Sequence, residues 1–182
     1  KGRKNKYGII TGTQIGGIGG QQDKGLLKDC TNKGNLSGIG SFGGICGESA
    51  NIIKCYNLGD IDGKSIIGGI SSINKGIISE CENNGKIINA SESDSGNYIG
   101  GIAGESSDNS KITRCTNSGT LKGKKQGSVG GIVAVIKKEV EVSKCINTAD
   151  IIDCTEPYYG VGGIVGCSLH EDTIIKEYLI FG

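Results

Sequence analysis

The feature that most constrains this chain is a glycine pair set between apolar residues, which occurs six times. Each copy reads apolar–Gly–Gly–aliphatic, with isoleucine last, at residues 15–18, 42–45, 67–70, 99–102, 129–132 and 161–164. Successive first glycines are 27, 25, 32, 30 and 32 residues apart. A unit of this length is too small to bury its own apolar face, so neighbouring units must stack. The spacing therefore predicts a repeat protein with one structural unit per glycine pair.

A cysteine with fixed neighbours follows each of the first five glycine pairs. An aliphatic residue stands three positions before it, an asparagine two positions after it and another aliphatic residue six positions after it. The cysteines are Cys30, Cys55, Cys81, Cys115 and Cys145, and the asparagines are Asn32, Asn57, Asn83, Asn117 and Asn147. An offset of three breaks the two-residue alternation of a strand, so we expect a bend before the cysteine if both side chains point inward.

The unit predicts an all-β fold. It contains three apolar runs of two to five residues, which are too short for helices, and the 34 glycines of the chain also disfavour helix. We expect a right-handed parallel β-helix, or solenoid, of about six coils with three short strands per coil. Equivalent strands would pair about 4.8 Å apart in three parallel sheets. The right-handed sense follows from the strong bias of parallel crossover connections.

Other repeat folds fit this unit less well. The L-x-x-L-x-L-x-x-N skeleton of leucine-rich repeats is absent. A propeller blade needs about 40 or more residues and four strands. A left-handed hexapeptide helix needs a six-residue subperiod, which the spacings around the cysteine do not supply.

The repeat covers the chain without a change in composition, so residues 1–182 are interpreted as one solenoid domain. Its units begin near residues 16, 43, 68, 100, 130 and 162. Ile10 aligns with Leu36 in the third strand of a unit, which makes residues 1–12 part of a preceding coil. Because both ends of the sequence fall within a unit, we expect the chain to be a fragment of a longer protein.

The five repeated cysteines would stack as a column of thiols facing the core, where free cysteine acts as a small apolar side chain. Disulfides between stacked coils are the alternative, because the Cα atoms of neighbouring coils would be close enough. Parallel neighbours nevertheless match the dihedral angle of a disulfide poorly. Zinc is disfavoured because the nearest cysteines, such as Cys145 and Cys154, are nine residues apart and lack paired zinc-ligand spacing. We expect no metal and no cofactor.

The stacked asparagines are expected to hydrogen-bond one another and the adjacent turn, which satisfies polar groups inside the coil. A ligand-binding row of asparagines is the alternative interpretation. The glycine pairs are expected in the first strand of each coil, where they permit a tight bend. They are not phosphate-binding loops, because no G-K-[ST] sequence follows them.

The charge balance argues against a nucleic-acid partner, and the short apolar runs argue against membrane insertion. Twenty Lys and Arg residues against 19 Asp and Glu give a net charge of +1, which provides no long-range attraction to nucleic acid. No apolar run approaches the roughly 20 residues of a membrane span. The sequence therefore predicts no nucleic-acid partner and no membrane insertion.

The pattern G-G-I-x-G … I-x-x-C-x-N-x-G-x-I-x-G resembles the GLUG repeat of bacterial surface proteins, most closely at 43–63 and 100–123. This resemblance implies that the chain is part of a large exported protein. Such proteins include adhesins, cell-wall-anchored proteins and proteins in which the repeats flank immunoglobulin-A-type metallopeptidases. It implies an extracellular or cell-surface location. It brings no catalytic motif, since H-E-x-x-H is absent and the only histidine, His170, is interpreted as a solvated loop residue.

Two longer loops are the candidate places for recognition, because a rigid coil presents its insertions along one edge. The predicted patch consists of Tyr98, Glu156, Tyr158 and Tyr159. Acid pairs such as Asp60/Asp62 and Glu80/Glu82 would share a strand face, which is a weak indication of glycosidase chemistry.

We therefore expect a non-enzymatic, structural or display repeat segment of a bacterial cell-surface or secreted protein, adhesin-like in role. The alternative is a substrate- or host-binding module beside a separate catalytic domain, such as a surface metallopeptidase. A carbohydrate-active β-helix enzyme is the third interpretation. The expected partners are a host protein or glycan and other domains of the parent chain.

Overall fold

The computed structural model describes residues 10–89, 91, 96–123, 127–154 and 160–181. These residues form β-strands and no helix. The first ten strands are β1 Ile10–Gly16, β2 Gly19–Lys28, β3 Thr31–Asn32, β4 Leu36–Gly43, β5 Cys46–Ile53, β6 Tyr56–Asn57, β7 Ile61–Gly63, β8 Ile66–Gly68, β9 Ser71–Ser79 and β10 Glu82–Asn83. The others are β11 Ile87–Asn89, β12 Tyr98–Gly100, β13 Ala103–Ser106, β14 Ser110–Thr113, β15 Thr116–Asn117, β16 Leu121–Gly123, β17 Ser128–Gly130, β18 Val133–Ile136, β19 Val140–Ser143, β20 Ile146–Asn147, β21 Ile151–Ile152, β22 Gly160–Gly162, β23 Val165–Ser168, β24 Ile174–Lys176 and β25 Leu179–Ile180.

The strands form three parallel sheets of 10, 6 and 9 strands, which confirms the predicted parallel solenoid. The smallest sheet stacks β3, β6, β10, β15, β20 and β25 in that order. The chain passes through this sheet six times and therefore makes about five turns, one fewer than the six coils predicted. The right-handed sense of winding stays a prediction.

The number of strands per turn grows along the chain. We call the six successive sets of strands layers 1 to 6: β1–β3, β4–β6, β7–β10, β11–β15, β16–β20 and β21–β25. Layers 1 and 2 have the three strands predicted, whereas layers 4 to 6 have five. Two turns account for the added strands. The turn at 64–65 divides β7 from β8 without any added residue, whereas the longer later units add residues within the stretch that is continuous in β9. One of these turns lies at 107–109, and the equivalent turns of layers 5 and 6 lie at 137–139 and 169–173.

The glycine pairs set the register of the stack. Their first members are paired in sequence through all six layers: Gly16, Gly43, Gly68, Gly100, Gly130 and Gly162. Ile10 pairs with Gly38, not with Leu36 as the alignment predicted. The reason is that β1 follows the register of Gly16 with one irregularity between Gly12 and Gln14. Residues 1–9 of the predicted preceding coil lie outside the described residues.

The bend predicted before each cysteine is confirmed. The residue preceding the cysteine has a left-handed backbone, with φ between 52° and 54° in all five layers and also before Tyr178. These residues are Asp29, Lys54, Glu80, Arg114, Lys144 and Glu177. The left-handed corner turns Ile52 and Cys55 into the same core, where both are fully buried.

The core consists of two apolar columns. One contains Ile45, Ile52, Cys55 and their equivalents in other layers, and the other contains Phe42, Ile61 and theirs. The glycine pair lies between Phe42 and Ile45 in sequence, and Asn57 lies between Cys55 and Ile61. Glycine and asparagine meet across the coil and separate the two columns. No helix of the described residues has the length and apolar character needed to cross a membrane.

Candidate functional site

The repeated asparagines form one hydrogen-bonded column inside the solenoid. Nδ2 of each asparagine donates to Oδ1 of the asparagine in the next layer. The distances are 2.8 Å for Asn32 to Asn57, 2.8 Å for Asn57 to Asn83, 2.8 Å for Asn83 to Asn117 and 3.0 Å for Asn117 to Asn147. The three central members are fully buried. A primary amide has both donors and an acceptor. Each asparagine inside the column can therefore accept a hydrogen bond from one neighbouring layer and donate one to the other.

Asparagines of the column also hold the turn that follows them. Nδ2 of Asn57 donates to the carbonyl of Gly59 at 2.9 Å, and Nδ2 of Asn83 donates to the carbonyl of Gly85 at 3.0 Å. The column ends in layer 6, where Ile180 pairs with Asn147. The amides therefore use their hydrogen-bonding groups within the coil, which leaves the structural interpretation stronger than the ligand-binding one.

The glycine pairs are needed for space. A Cβ on Gly101 would lie 2.0 Å from the carbonyl oxygen of Gly131 and 2.4 Å from Cγ of Asn117. A Cβ on Gly100 would lie 1.7 Å from the carbonyl oxygen of Ala103. Neither glycine has a positive φ. The pairs were expected within the first strand of each coil, but they lie at the corner between two strands, because only glycine lets the chain approach the asparagine column there.

The repeated cysteines form a second column, in which four thiols are buried and Cys30 is half-buried. Each Sγ donates to the carbonyl two residues earlier, at between 3.2 and 3.4 Å. All eight cysteines are free thiols. Burial raises the pKa of the Cys115 thiol well above its usual range and that of Cys46 to about 11. The thiols of Cys115 and Cys46 therefore stay protonated at neutral pH and act as apolar core groups.

Ion pairs join neighbouring layers on the outer face of the 9-stranded sheet. Glu141 contacts Nζ of Lys176 and of Lys111, both at 3.0 Å. Lys176, and then Lys111, lower the pKa of the Glu141 carboxyl from 4.5 to about 2. Lys137 contacts the buried carboxylate of Glu105 at 2.8 Å. Each pair links different layers, and half-exposed pairs of this kind contribute at most about 1 kcal/mol each to the stack.

Of the predicted recognition patch, Tyr98 lies in β12 and is half-buried. Its neighbours in the sheet are Ile66 and Ser128, and its ring lies against Gly127. The other three residues, Glu156, Tyr158 and Tyr159, lie outside the described residues. The patch as a whole stays a prediction.

Of the two acid pairs, only Glu80/Glu82 departs from the shared strand face expected. Glu80 forms the left-handed corner between β9 and β10, where it contacts Lys54 and Arg114 at 3.7 and 3.6 Å. Asp60 precedes β7, and its Oδ1 accepts the backbone N–H of Lys86 at 2.9 Å. The left-handed corner at Glu80 separates it from Glu82, whereas Asp60 and Asp62 are both exposed on either side of buried Ile61. The first acid of each pair therefore has a local structural partner.

One group of polar side chains was missed by the sequence reasoning. Glu139 of layer 5 lies beside His170 and Asp172 of layer 6, at equivalent turns of the stack. His170 was interpreted as a solvated loop residue, whereas its side chain is 32% exposed and contacts Asp172. The available signal was the period: the turn at 137–139 and the turn at 169–173 are one repeat apart.

Comparison with known families agrees with this architecture. A family model described as the GLUG motif matches residues 95–122. The match covers one glycine pair, Cys115 and Asn117. It therefore includes one member of the cysteine column, one member of the asparagine column and the glycine corner that packs against that asparagine. The chain thus carries a GLUG-type repeat, as the resemblance predicted. No curated protein and no solved structure matched the chain.

Proposed function

We propose that this chain is a non-enzymatic structural segment that displays other parts of a bacterial cell-surface or secreted protein, with an adhesin-like role. The observation that carries this proposal is the unbroken asparagine column, which runs from Asn32 to Asn147. The repeated polar groups hydrogen-bond to neighbouring layers. The repeated polar residues of the unit therefore serve stacking.

The distribution of charge supports the same role. Glu48 pairs with Lys75 at 2.7 Å and Glu105 with Lys137 at 2.8 Å, each across one layer boundary. The net charge of +1 gives the surface no strong field of one sign. Such a surface suits a spacer that must hold its shape without attracting a particular polyelectrolyte.

A cell-surface role is tested on intact source cells. An antibody against the folded chain is expected to label unpermeabilised cells or culture medium, and added protease is expected to remove the cell-bound signal. Labelling that requires permeabilised cells contradicts the surface location. This experiment is independent of any ligand.

The display role is tested by binding and turnover. The purified chain, with Tyr98→Ala and the exposed-face variant Tyr56→Ala as a matched pair, is applied to arrays of glycans and of host extracellular proteins. We expect no specific binding and no cleavage of polyuronides. Saturable binding that Tyr98→Ala alone removes would favour the host-binding module, and polysaccharide cleavage would favour the enzyme.

A further inference from the structure

Two stacked turns bring potential metal ligands together at one edge of the solenoid. The turn between β18 and β19 contains Glu139, and the turn between β23 and β24 contains His170 and Asp172. The backbone N–H of Leu169 donates to the carbonyl of Ile136 at 2.8 Å, which holds the two turns in register. The cluster therefore rests on the paired sheet.

The ligand atoms of these three residues are close enough for one ion. One carboxylate oxygen each from Glu139 and Asp172 and one ring nitrogen of His170 all lie within 4.8 Å of one another. Ligands of a tetrahedral zinc ion lie about 3.3 Å apart when the bonds are about 2.0 Å long. Both acidic residues are exposed, so rotation of their side chains closes the remaining gap.

The histidine is held in place by its own turn. The backbone N–H of Asp172 donates to Nδ1 of His170 at 3.2 Å, and Oδ2 of Asp172 lies 3.8 Å from the same nitrogen. Oγ of Ser168 contacts Oγ1 of Thr173 at 2.8 Å and donates to the carbonyl of His170 at 3.2 Å. These bonds brace the turn. To bind an ion through Nδ1, His170 must release the backbone N–H of Asp172, and this hydrogen bond lies at the exposed surface.

The nearest cations are engaged elsewhere. Lys137 and Lys138 of the same turn point back to layer 4, where they contact Glu105 at 2.8 Å and Asp108 at 2.9 Å. Within the described part of the chain, Glu139 has no ion pair. With a neutral imidazole, the three side chains carry two negative charges that an added cation would neutralise.

We propose that Glu139, His170 and Asp172 bind a divalent transition-metal ion of the zinc class, with water completing the coordination. One imidazole and two carboxylates are ligands that zinc accepts, and three protein ligands leave one position open. The ion would join the turns of layers 5 and 6 and so stabilise the end of the described stack.

The test is calorimetric titration of the full chain with zinc chloride, and with calcium chloride for comparison. We expect one zinc site, little affinity for calcium, and a higher melting temperature in zinc. H170A, E139Q and D172N should each weaken zinc binding at least about tenfold, since even the loss of an outer-shell partner has an effect of this order. E171Q, which removes an exposed neighbouring carboxylate outside the cluster, should bind zinc within about twofold of the original chain.

Cobalt(II) spectra distinguish this site from the cysteines. Binding through nitrogen and oxygen gives only weak visible bands, whereas thiolate ligation adds an intense near-ultraviolet band. Equal zinc binding by H170A, an intense thiolate band, a calcium affinity equal to that for zinc, or no saturable zinc binding would each overturn the proposal. Circular dichroism of each variant confirms that its fold is retained.

Discussion

Removing one member from the middle of the asparagine column should destabilise the whole stack, and Asn83→Ala is the sharpest such change. Asn83 is fully buried and takes part in three hydrogen bonds. It accepts from Nδ2 of Asn57 at 2.8 Å and donates to Oδ1 of Asn117 at 2.8 Å and to the carbonyl of Gly85 at 3.0 Å. Alanine removes all three bonds.

The magnitude follows from those bonds. At a net contribution of about 1 kcal/mol each, their loss amounts to about 3 kcal/mol. Where water cannot reach one of the partners left behind, which are Nδ2 of Asn57, Oδ1 of Asn117 and the carbonyl of Gly85, its loss costs up to about 3 kcal/mol in place of about 1 kcal/mol. We therefore expect Asn83→Ala to lower the free energy of unfolding by about 3–5 kcal/mol, a large share of the stability of a domain this size.

Urea unfolding at 25 °C, followed by circular dichroism, measures this loss. The matched control is Asn84→Ala, which changes the adjacent, exposed asparagine and should stay within about 0.5 kcal/mol of the original chain. A loss below about 1 kcal/mol for Asn83→Ala, or equal losses for the two variants, would mean that the asparagine column does not stabilise the stack. Comparable m-values are needed for the comparison to hold.

Three further predictions test other parts of the account. Gly101→Ala should lower the free energy of unfolding by about 3 kcal/mol or more, because its Cβ meets Asn117, whereas Gly19→Ala, with contacts no closer than 3.6 Å, should cost under about 1 kcal/mol in the same urea assay. Ellman's reagent should titrate at most the three half-buried thiols of the native chain and all eight after denaturation; rapid native reaction of more than three would contradict a buried column. The pKa of Glu141 is depressed on folding, so its contribution to stability is complete above pH 4.5 and is lost as pH falls towards 2. The difference in unfolding free energy between the original chain and Glu141→Gln should shrink over that range, and a constant difference would contradict the ion pairs.

Much of the fold was predictable because the residues of each solenoid turn recur in the sequence at the period of the turns. Equivalent residues stack directly, so the spacing of Gly43 and Gly68 is also their pairing in the sheet. The bend before Cys55 was predictable for the same reason, since Ile52 and Cys55 can share a core only if the chain turns between them. Each of these inferences uses positions that repeat.

The details that escaped prediction depend on residues that vary between units. The corner residues, such as Lys54 and Glu80, are all charged but of both signs, and a charged side chain does not by itself indicate a left-handed backbone. Likewise, the added turn residues of the later units divide strands without altering the apolar pattern. The glycine pairs were recognised in the sequence. Only the structure shows that they lie against the asparagine column, where a Cβ would collide with an asparagine side chain.

The candidate sites were harder to predict than the fold. Tyr98 was chosen from the length of its loop, and its sheet neighbours, Ile66 and Ser128, do not by themselves identify a partner. Glu139 and His170 come together because their turns are one period apart, although their surrounding sequences differ. A comparison of equivalent turns, in addition to equivalent apolar positions, would have located this cluster.

The most direct test of the central claim is nuclear magnetic resonance of the asparagine side-chain amides. The stacked column predicts that the Nδ2 protons of Asn57, Asn83 and Asn117 exchange slowly with water. It also predicts nuclear Overhauser contacts from each of them to the asparagine of the next layer, 26, 34 and 30 residues away. Rapid exchange, with contacts only to residues nearby in sequence, would contradict the stacked architecture.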